Sequence, residues 1–283
     1  MSQIESTTTP DGPGTIAFIG GGNMARSLIG GLIARGQPAD GIHVAEPADA
    51  LRQALERDFH VQGFDNATEA AAGADVWLLA VKPQVMAGVC AELAGIAQAR
   101  RPLVISIAAG ITAAQLDGWL GGGLAVVRAM PNTPALLGVG ITGLFANDQA
   151  DGHQRDHAAG LLDAVGPTVW IDDESRMDAV TAVSGSGPAY VFLLAEAMQA
   201  AGVAEGLTPE AARALVQQTL LGAATMLTRL EEPADVLRAR VTSPGGTTQA
   251  AIETFEAGGF RELVARAIAA ATERGRQLSA ANH

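Results

Sequence analysis

Between Thr15 and Asp172 the apolar positions fall in short, nearly unbroken runs. They are TIAFIG (15–20), IHVAE (42–46), DVWLLAV (75–81), PLVISIA (102–108) and LAVVRAM (124–130). Helix-length stretches rich in Ala and Leu separate most of them. A half-exposed strand alternates apolar and polar residues; a strand covered on both faces does not. Continuous runs alternating with helices therefore predict a mostly parallel, doubly wound sheet. GVGITGLFA (138–146) and PTVWID (167–172) add further β-like runs.

Beyond Asp173 the strand pattern stops and helical periodicity takes over, at 188–204, 209–230, 233–241, 247–257 and 260–279. GGF at 258–260 reads as a joint between two helices. The expected organisation is a leader over 1–14, an α/β domain over 15–172 and an all-α domain over 173–283. The helices are too apolar for an isolated bundle, so their excess apolar surface predicts an oligomer.

A length of 283 residues suits two domains better than one. The net charge of −12 repels phosphate backbones and anionic lipid, which argues against nucleic acid and membrane surfaces as partners. MSQIESTTTPDGPG lacks a cationic segment and an apolar core, so it reads as a disordered polar leader rather than a signal peptide. A single cysteine, Cys90, cannot form an intrachain disulfide and fits a reducing compartment. The expectation is a cytoplasmic protein.

The first apolar run ends in Gly20-Gly21-Gly22-Asn23-Met24-Ala25, which fits G-x-G-x-x-A. Gly20 allows a tight strand-to-helix turn. Gly22 lets backbone approach a pyrophosphate, and Ala25 lets the helix pack close to the sheet. The pyrophosphate would meet free N–H groups at the helix N-terminus. Glu46, ending the second run, can accept hydrogen bonds from a ribose 2′-OH and repels a 2′-phosphate; taken alone it favours NAD(H). Arg52, in the following helix, is either a phosphate ligand or a solvated arginine.

Two more stretches fall at the ends of parallel strands, where open α/β sheets bind ligands. In AVKPQ (80–84), the chain's single lysine, Lys82, either pairs with cofactor phosphate or ribose or is solvated. In AMPNTP (129–134), Asn132 and Thr133 either face a nicotinamide ring or make Asx-type turns. In VSGSGPAY (183–190), Pro188 fits the first turn of a helix that Ser186 could cap. In VTSPGGTTQAAIETF (241–255), a Pro-Gly-Gly loop leads into a helix beginning near Thr247. The N–H groups and hydroxyls of Thr247 and Thr248 suit a small carboxylate, beyond what a simple cap needs. The five histidines are scattered; His153 and His157 lack the Glu of an HExxH pattern, so no metal site is expected.

FIGGGNMA, AVKPQ, AMPNTP, SGSGPAY and VTSPGGTT, in this order, resemble the pyrroline-5-carboxylate reductase family, from about Thr15 to about Leu278. The resemblance implies an N-terminal Rossmann domain, an all-α C-terminal dimerisation domain, and reduction of Δ1-pyrroline-5-carboxylate, a cyclic imine carboxylate, to L-proline. The reductant would be NADPH or NADH. It implies a homodimer; several members assemble five dimers into a decamer. Carried over by motif, the cofactor site is Gly20, Gly21, Gly22, Asn23, Met24, Ala25, Glu46, Asn66, Ala80, Val81, Lys82, Pro83, Ala108 and Ala109. The substrate carboxylate falls to Ser243, Gly246, Thr247 and Thr248, with Thr248 the catalytic hydroxyl at the ring nitrogen. Members preferring NADPH carry small polar or basic residues after the second strand. Here the sequence is Glu46-Pro47-Ala48, which puts a preference for NADPH in doubt.

Two rival readings differ in named features. A β-hydroxyacid dehydrogenase would use a lysine in its second domain, and no lysine follows Lys82. A non-catalytic dinucleotide sensor would not need SPGGTT.

Overall fold

The computed structural model describes residues 14–281. The expected leader, apart from Gly14, lies outside the described residues. Eight strands form one sheet in the order β3-β2-β1-β4-β5-β6-β7-β8. They are β1 Ile16–Ile19, β2 Ile42–Ala45, β3 Gln62–Phe64, β4 Val76–Leu79, β5 Leu103–Ser106, β6 Val126–Met130, β7 Thr142–Ala146 and β8 Thr168–Trp170. All neighbours pair in parallel except β6 and β7, which run antiparallel.

The helices threaded between them are α1 Asn23–Ala34, α2 Asp49–Phe59, α3 Ala67–Ala71, α4 Pro83–Arg100, α5 Ala113–Trp119 and α6 Gly152–Leu162. They cover both faces. On one, Phe18, Val44, Leu78 and Ile105 pack with Leu28 and Ile29 of α1, Leu55 of α2 and Leu162 of α6. On the other, Ile19, Trp77, Leu79 and Val104 pack with Ala71 of α3, Met86, Cys90 and Leu93 of α4 and Leu116 of α5. This double burial is why the strands read as continuous apolar runs. Cys90 sits fully inside the second layer, and burial pushes its thiol up to about 12. Helix ends follow local chemistry: Thr112–Gln115 and Asp151–Gln154 form capping boxes for α5 and α6, and Pro83 opens α4.

The rest of the chain forms α7 Met177–Val180, a π-helical turn over Thr181–Gly185, and then α8 Gly187–Ala204, α9 Pro209–Arg229, α10 Ala234–Arg240, α11 Thr247–Ala257 and α12 Phe260–Ala281. Two compact units emerge. One runs to Gly185 and takes up the chain again from Thr272; the other is Ser186–Ala271. The division expected at 172/173 followed the end of the strand pattern, whereas compactness follows contacts. Buried Arg128 of β6, 4% exposed, pairs with Glu174 at 3.4 Å and Asp178 at 3.7 Å. Glu174 Oε1 also accepts the Ala113 N–H at 2.7 Å. These bonds hold 174–178 to the sheet. The last turns of α12 join the same unit because Gly275 has no side chain: a Cβ there would lie 3.2 Å from the Asp178 side chain.

The second unit is helical throughout. Among its buried apolar residues are Ala212, Val216 and Leu237, while Phe192, Leu193, Leu215, Leu221, Phe255 and Leu263 are half-exposed or more. That large bare apolar surface is the excess expected from the sequence. Among the described residues, no helix is long and apolar enough to cross a membrane, and no cluster of three or more His, Cys, Asp or Glu could hold a metal ion.

Candidate active site

The strand order reverses around β1: β2 and β3 lie to one side of it, β4 and the later strands to the other. The glycine stretch occupies this switch point, at the carboxyl end of β1. Its three glycines answer three different constraints. Gly20 has φ +110°, and a Cβ there would lie 2.9 Å from the Ala80 carbonyl carbon and oxygen. Only glycine tolerates both the angle and the backbone neighbour. Gly21 lies under side chains: a Cβ would meet Leu55 at 2.8 Å and Glu46 at 3.1 Å. Gly22, the N-cap of α1, has ordinary extended angles and empty space where a Cβ would stand, with nothing within 4 Å. No side chain caps α1. Its first-turn N–H groups are thus open to a ligand, and the residues fit a dinucleotide pyrophosphate. Arg26 is committed to Asp58 and to the Phe59 ring at 4.8 Å. Asp58 is held below the usual carboxylate range by the Arg26 bond first and the Arg57 bond second.

Glu46 follows β2 and turns back onto the glycine stretch. Its Oε2 accepts the Gly21 N–H at 3.0 Å, and its Oε1 accepts the Ala48 N–H at 2.9 Å. Arg52 donates to the Glu46 backbone oxygen at 2.9 Å and to Asp49 Oδ1 at 2.6 Å. It is neither a solvated arginine nor a free phosphate ligand. The sequence carried one signal of this arrangement: G-x-G-x-x-A needs no glycine at its second position, yet Gly21 is there.

The remaining cofactor candidates line the same carboxyl edge. Asn66, beyond β3, caps α3 by accepting the Glu69 N–H at 2.9 Å. Ala80 to Pro83 join β4 to α4, with Lys82 exposed as N-cap and making no capping bond. Ala108 and Ala109 follow β5; the Ala108 N–H donates to buried Ser106 at 3.3 Å. Asn132 is spent on structure: its Nδ2 donates to the Ser184 oxygen and its Oδ1 accepts the Ile141 N–H.

In the other unit, Ser243, Gly246, Thr247 and Thr248 gather at the start of α11. Gly246 is the N-cap, its N–H bonded to the Ser243 oxygen at 3.0 Å. Gly245 takes φ +74°, and its N–H donates to Gln249 Oε1 at 2.7 Å. No side chain caps α11, so the two threonines do not serve as its cap. Ser186 differs from expectation: it precedes α8 with helical backbone angles and makes no side-chain capping bond, because the π-helical turn runs straight into α8.

Known proteins resemble the chain over nearly its whole length. Residues 174–278 match the family model described as pyrroline-5-carboxylate reductase dimerisation, and residues 15–110 match NADP oxidoreductase coenzyme F420-dependent. A pyrroline-5-carboxylate reductase of Pseudomonas aeruginosa is 52% identical, over 93% of this chain and 96% of its own length. The solved pyrroline-5-carboxylate reductase of Coxiella burnetii is 43% identical with a TM-score of 0.91, covering 94% of this chain and 99% of that one. The Plasmodium falciparum pyrroline carboxylate reductase, solved with NADP bound, is 28% identical with a TM-score of 0.81, covering 94% and 98%. With its glycine turn at the switch point and its uncapped SPGGTT helix, the chain belongs to the pyrroline-5-carboxylate reductase family.

Proposed function

We propose that the protein reduces Δ1-pyrroline-5-carboxylate to L-proline with NADH or NADPH, the last step of proline synthesis. The start of α11 carries this reading. Thr247 and Thr248 present backbone N–H groups that no side chain caps, beside two hydroxyls, and the substrate is a small carboxylate.

Ser243, Gly246, Thr247 and Thr248 hold the substrate carboxylate in this reading. The dinucleotide falls to Gly20 through Ala25, Glu46, Asn66, Ala80 through Pro83, Ala108 and Ala109. When bound, the reduced nicotinamide supplies the hydride. A protonated cyclic imine is already a strong electrophile, so the protein's main contribution is orientation. The Thr248 hydroxyl holds the proton at the ring nitrogen. This accounts for a site with no His or Lys dyad.

The bare apolar surface of the helical unit, together with the match to a dimerisation model, supports a homodimer, with a decamer of five dimers as the larger assembly. The lone cysteine supports a cytoplasmic location.

Thr248→Ala tests the assignment. We expect kcat/KM for the imine to fall about 10- to 100-fold, the worth of one hydrogen bond to a charged group, with dinucleotide affinity unchanged. Undiminished kcat/KM removes Thr248 from the mechanism.

A further inference from the structure

NADH and NADPH differ by one group, a phosphate on the adenine ribose that carries roughly two negative charges. A site that takes NADPH must surround that phosphate with donors or positive charge. A site that takes NADH must offer acceptors to the bare 2′-OH. The Plasmodium relative was solved with NADP, and the fold is common to both kinds of site, so the choice rests on this chain's residues after β2.

What those residues offer a phosphate is the uncapped start of α2, and that turn carries the Asp49 carboxylate beside Glu46. Pro47 has no N–H. The Ala48 N–H is already given to Glu46. Asp49 adds a second carboxylate, bonded by Arg52 and by Gln53. The guanidinium at this corner, Arg52, is tied to the Glu46 backbone oxygen and to Asp49, and its side chain is 19% exposed. Its stem lies over Gly63, whose missing Cβ would stand 2.8 Å from Arg52 Cγ. Swinging it outward would break two bonds and unpack that contact.

The Glu46 carboxylate, for its part, is fixed. One oxygen accepts the Gly21 N–H and the other the Ala48 N–H. Each keeps further acceptor capacity for a ribose hydroxyl. The second glycine of the triple makes this possible, since any Cβ at Gly21 would collide with Glu46 and Leu55.

We propose that this protein selects NADH over NADPH, with Glu46 as the specificity-determining residue and Gly21 as the residue that lets its carboxylate seat on the glycine turn. The inference rests on the dinucleotide site of the function proposed above, but not on the substrate assigned to it.

Equilibrium binding separates the two. Titrations of the intact protein with ADP-ribose and with 2′-phospho-ADP-ribose need no turnover. We expect ADP-ribose to bind about tenfold tighter or more, because like charges brought together cost several kcal/mol. The preference should narrow as salt screens the carboxylate. Glu46→Gln keeps the shape and removes the charge; it should erase most of the difference, with thermal unfolding confirming that the variant is folded. Glu46→Ser provides a second variant should the Gln form unfold. Equal or tighter binding of the phosphorylated probe by the wild type overturns the proposal, as does a preference that survives both substitutions. A strong preference for ADP-ribose in a protein that does not turn over the imine leaves the coenzyme inference standing and overturns the substrate. No binding of either probe, or of NADH, overturns both.

Discussion

The side-chain amide of Asn132 bonds Ser184: its Nδ2 donates to the Ser184 backbone oxygen at 3.2 Å, while its Oδ1 accepts the Ile141 N–H at 3.0 Å. One residue thus ties the loop after β6 both to the π-helical turn over Thr181–Gly185 and to the segment entering β7. Met130 fills the space beside Gly185, where a Cβ would lie 2.6 Å from its methyl carbon. AMPNTP and SGSGPAY, far apart in sequence, meet here.

Asn132→Ala leaves a backbone oxygen and an N–H without their partner. It should lower unfolding stability by about 2 kcal/mol, read from the urea midpoint at unchanged slope. Were Asn132 instead a nicotinamide ligand with no structural duty, stability would hold and only kcat/KM would fall.

Two alanine substitutions in the glycine turn should part company. Gly20→Ala forces a side chain against the Ala80 carbonyl at a backbone angle of +110°, so the protein should lose both thermal stability and dinucleotide binding. Gly22→Ala meets nothing within 4 Å. It should unfold at the wild-type temperature yet bind ADP-ribose about tenfold more weakly, as a methyl group displaces pyrophosphate from the helix end. Wild-type affinity in Gly22→Ala would mean that no ligand approaches there.

Arg128 is the buried cation between Glu174 and Asp178. Arg128→Ala strands two carboxylates and should cost about 3–5 kcal/mol. Gly275→Ala pushes a methyl group toward Asp178 and should cost less. Chemical denaturation of the two variants checks the order; a loss below about 1 kcal/mol for Arg128→Ala would show that the pair is not what holds 174–178 to the sheet.

His157 provides a pH dependence. Burial first, and then the neighbouring His153, hold its imidazole below the ordinary value, against a smaller opposing effect of Asp75. Its folded form therefore resists protonation more than its unfolded form does. The unfolded state binds more protons as the pH falls through the ordinary imidazole range, so stability drops there and is fully present above it. His157→Gln should flatten the fall in melting temperature between pH 7.5 and about pH 5.5. An identical profile in the variant would assign the acid loss to other groups.

The sheet was legible where burial on both faces wrote it into the sequence: VWLL of β4 and LVIS of β5 are apolar almost throughout. The strand that escaped, β3, is Gln62-Gly63-Phe64 at the sheet's edge, three residues with one glycine and one exposed glutamine. No periodicity can be seen in so short a run. The helical spans were also readable, because α8 to α12 begin at proline or glycine punctuation. Which unit the end of α12 joins was not, since helical periodicity says nothing of the Asp178 side chain opposite Gly275. Motif spacing placed the glycines at the turn into α1 and the threonines at the start of α11, where the fold has them. It could not give the direction of Glu46, which depends on two backbone N–H groups brought near it by folding, nor the use of Asn132 as a tie between loops.

The central claim is a hydride transfer, and label transfer tests it most directly. The protein is incubated with Δ1-pyrroline-5-carboxylate and reduced dinucleotide carrying deuterium at the transferable position of the nicotinamide. The account predicts proline heavier by one deuterium, formed in step with coenzyme oxidation, and formed faster from NADH than from NADPH. Coenzyme that binds but is not oxidised, or proline that carries no label, would contradict it.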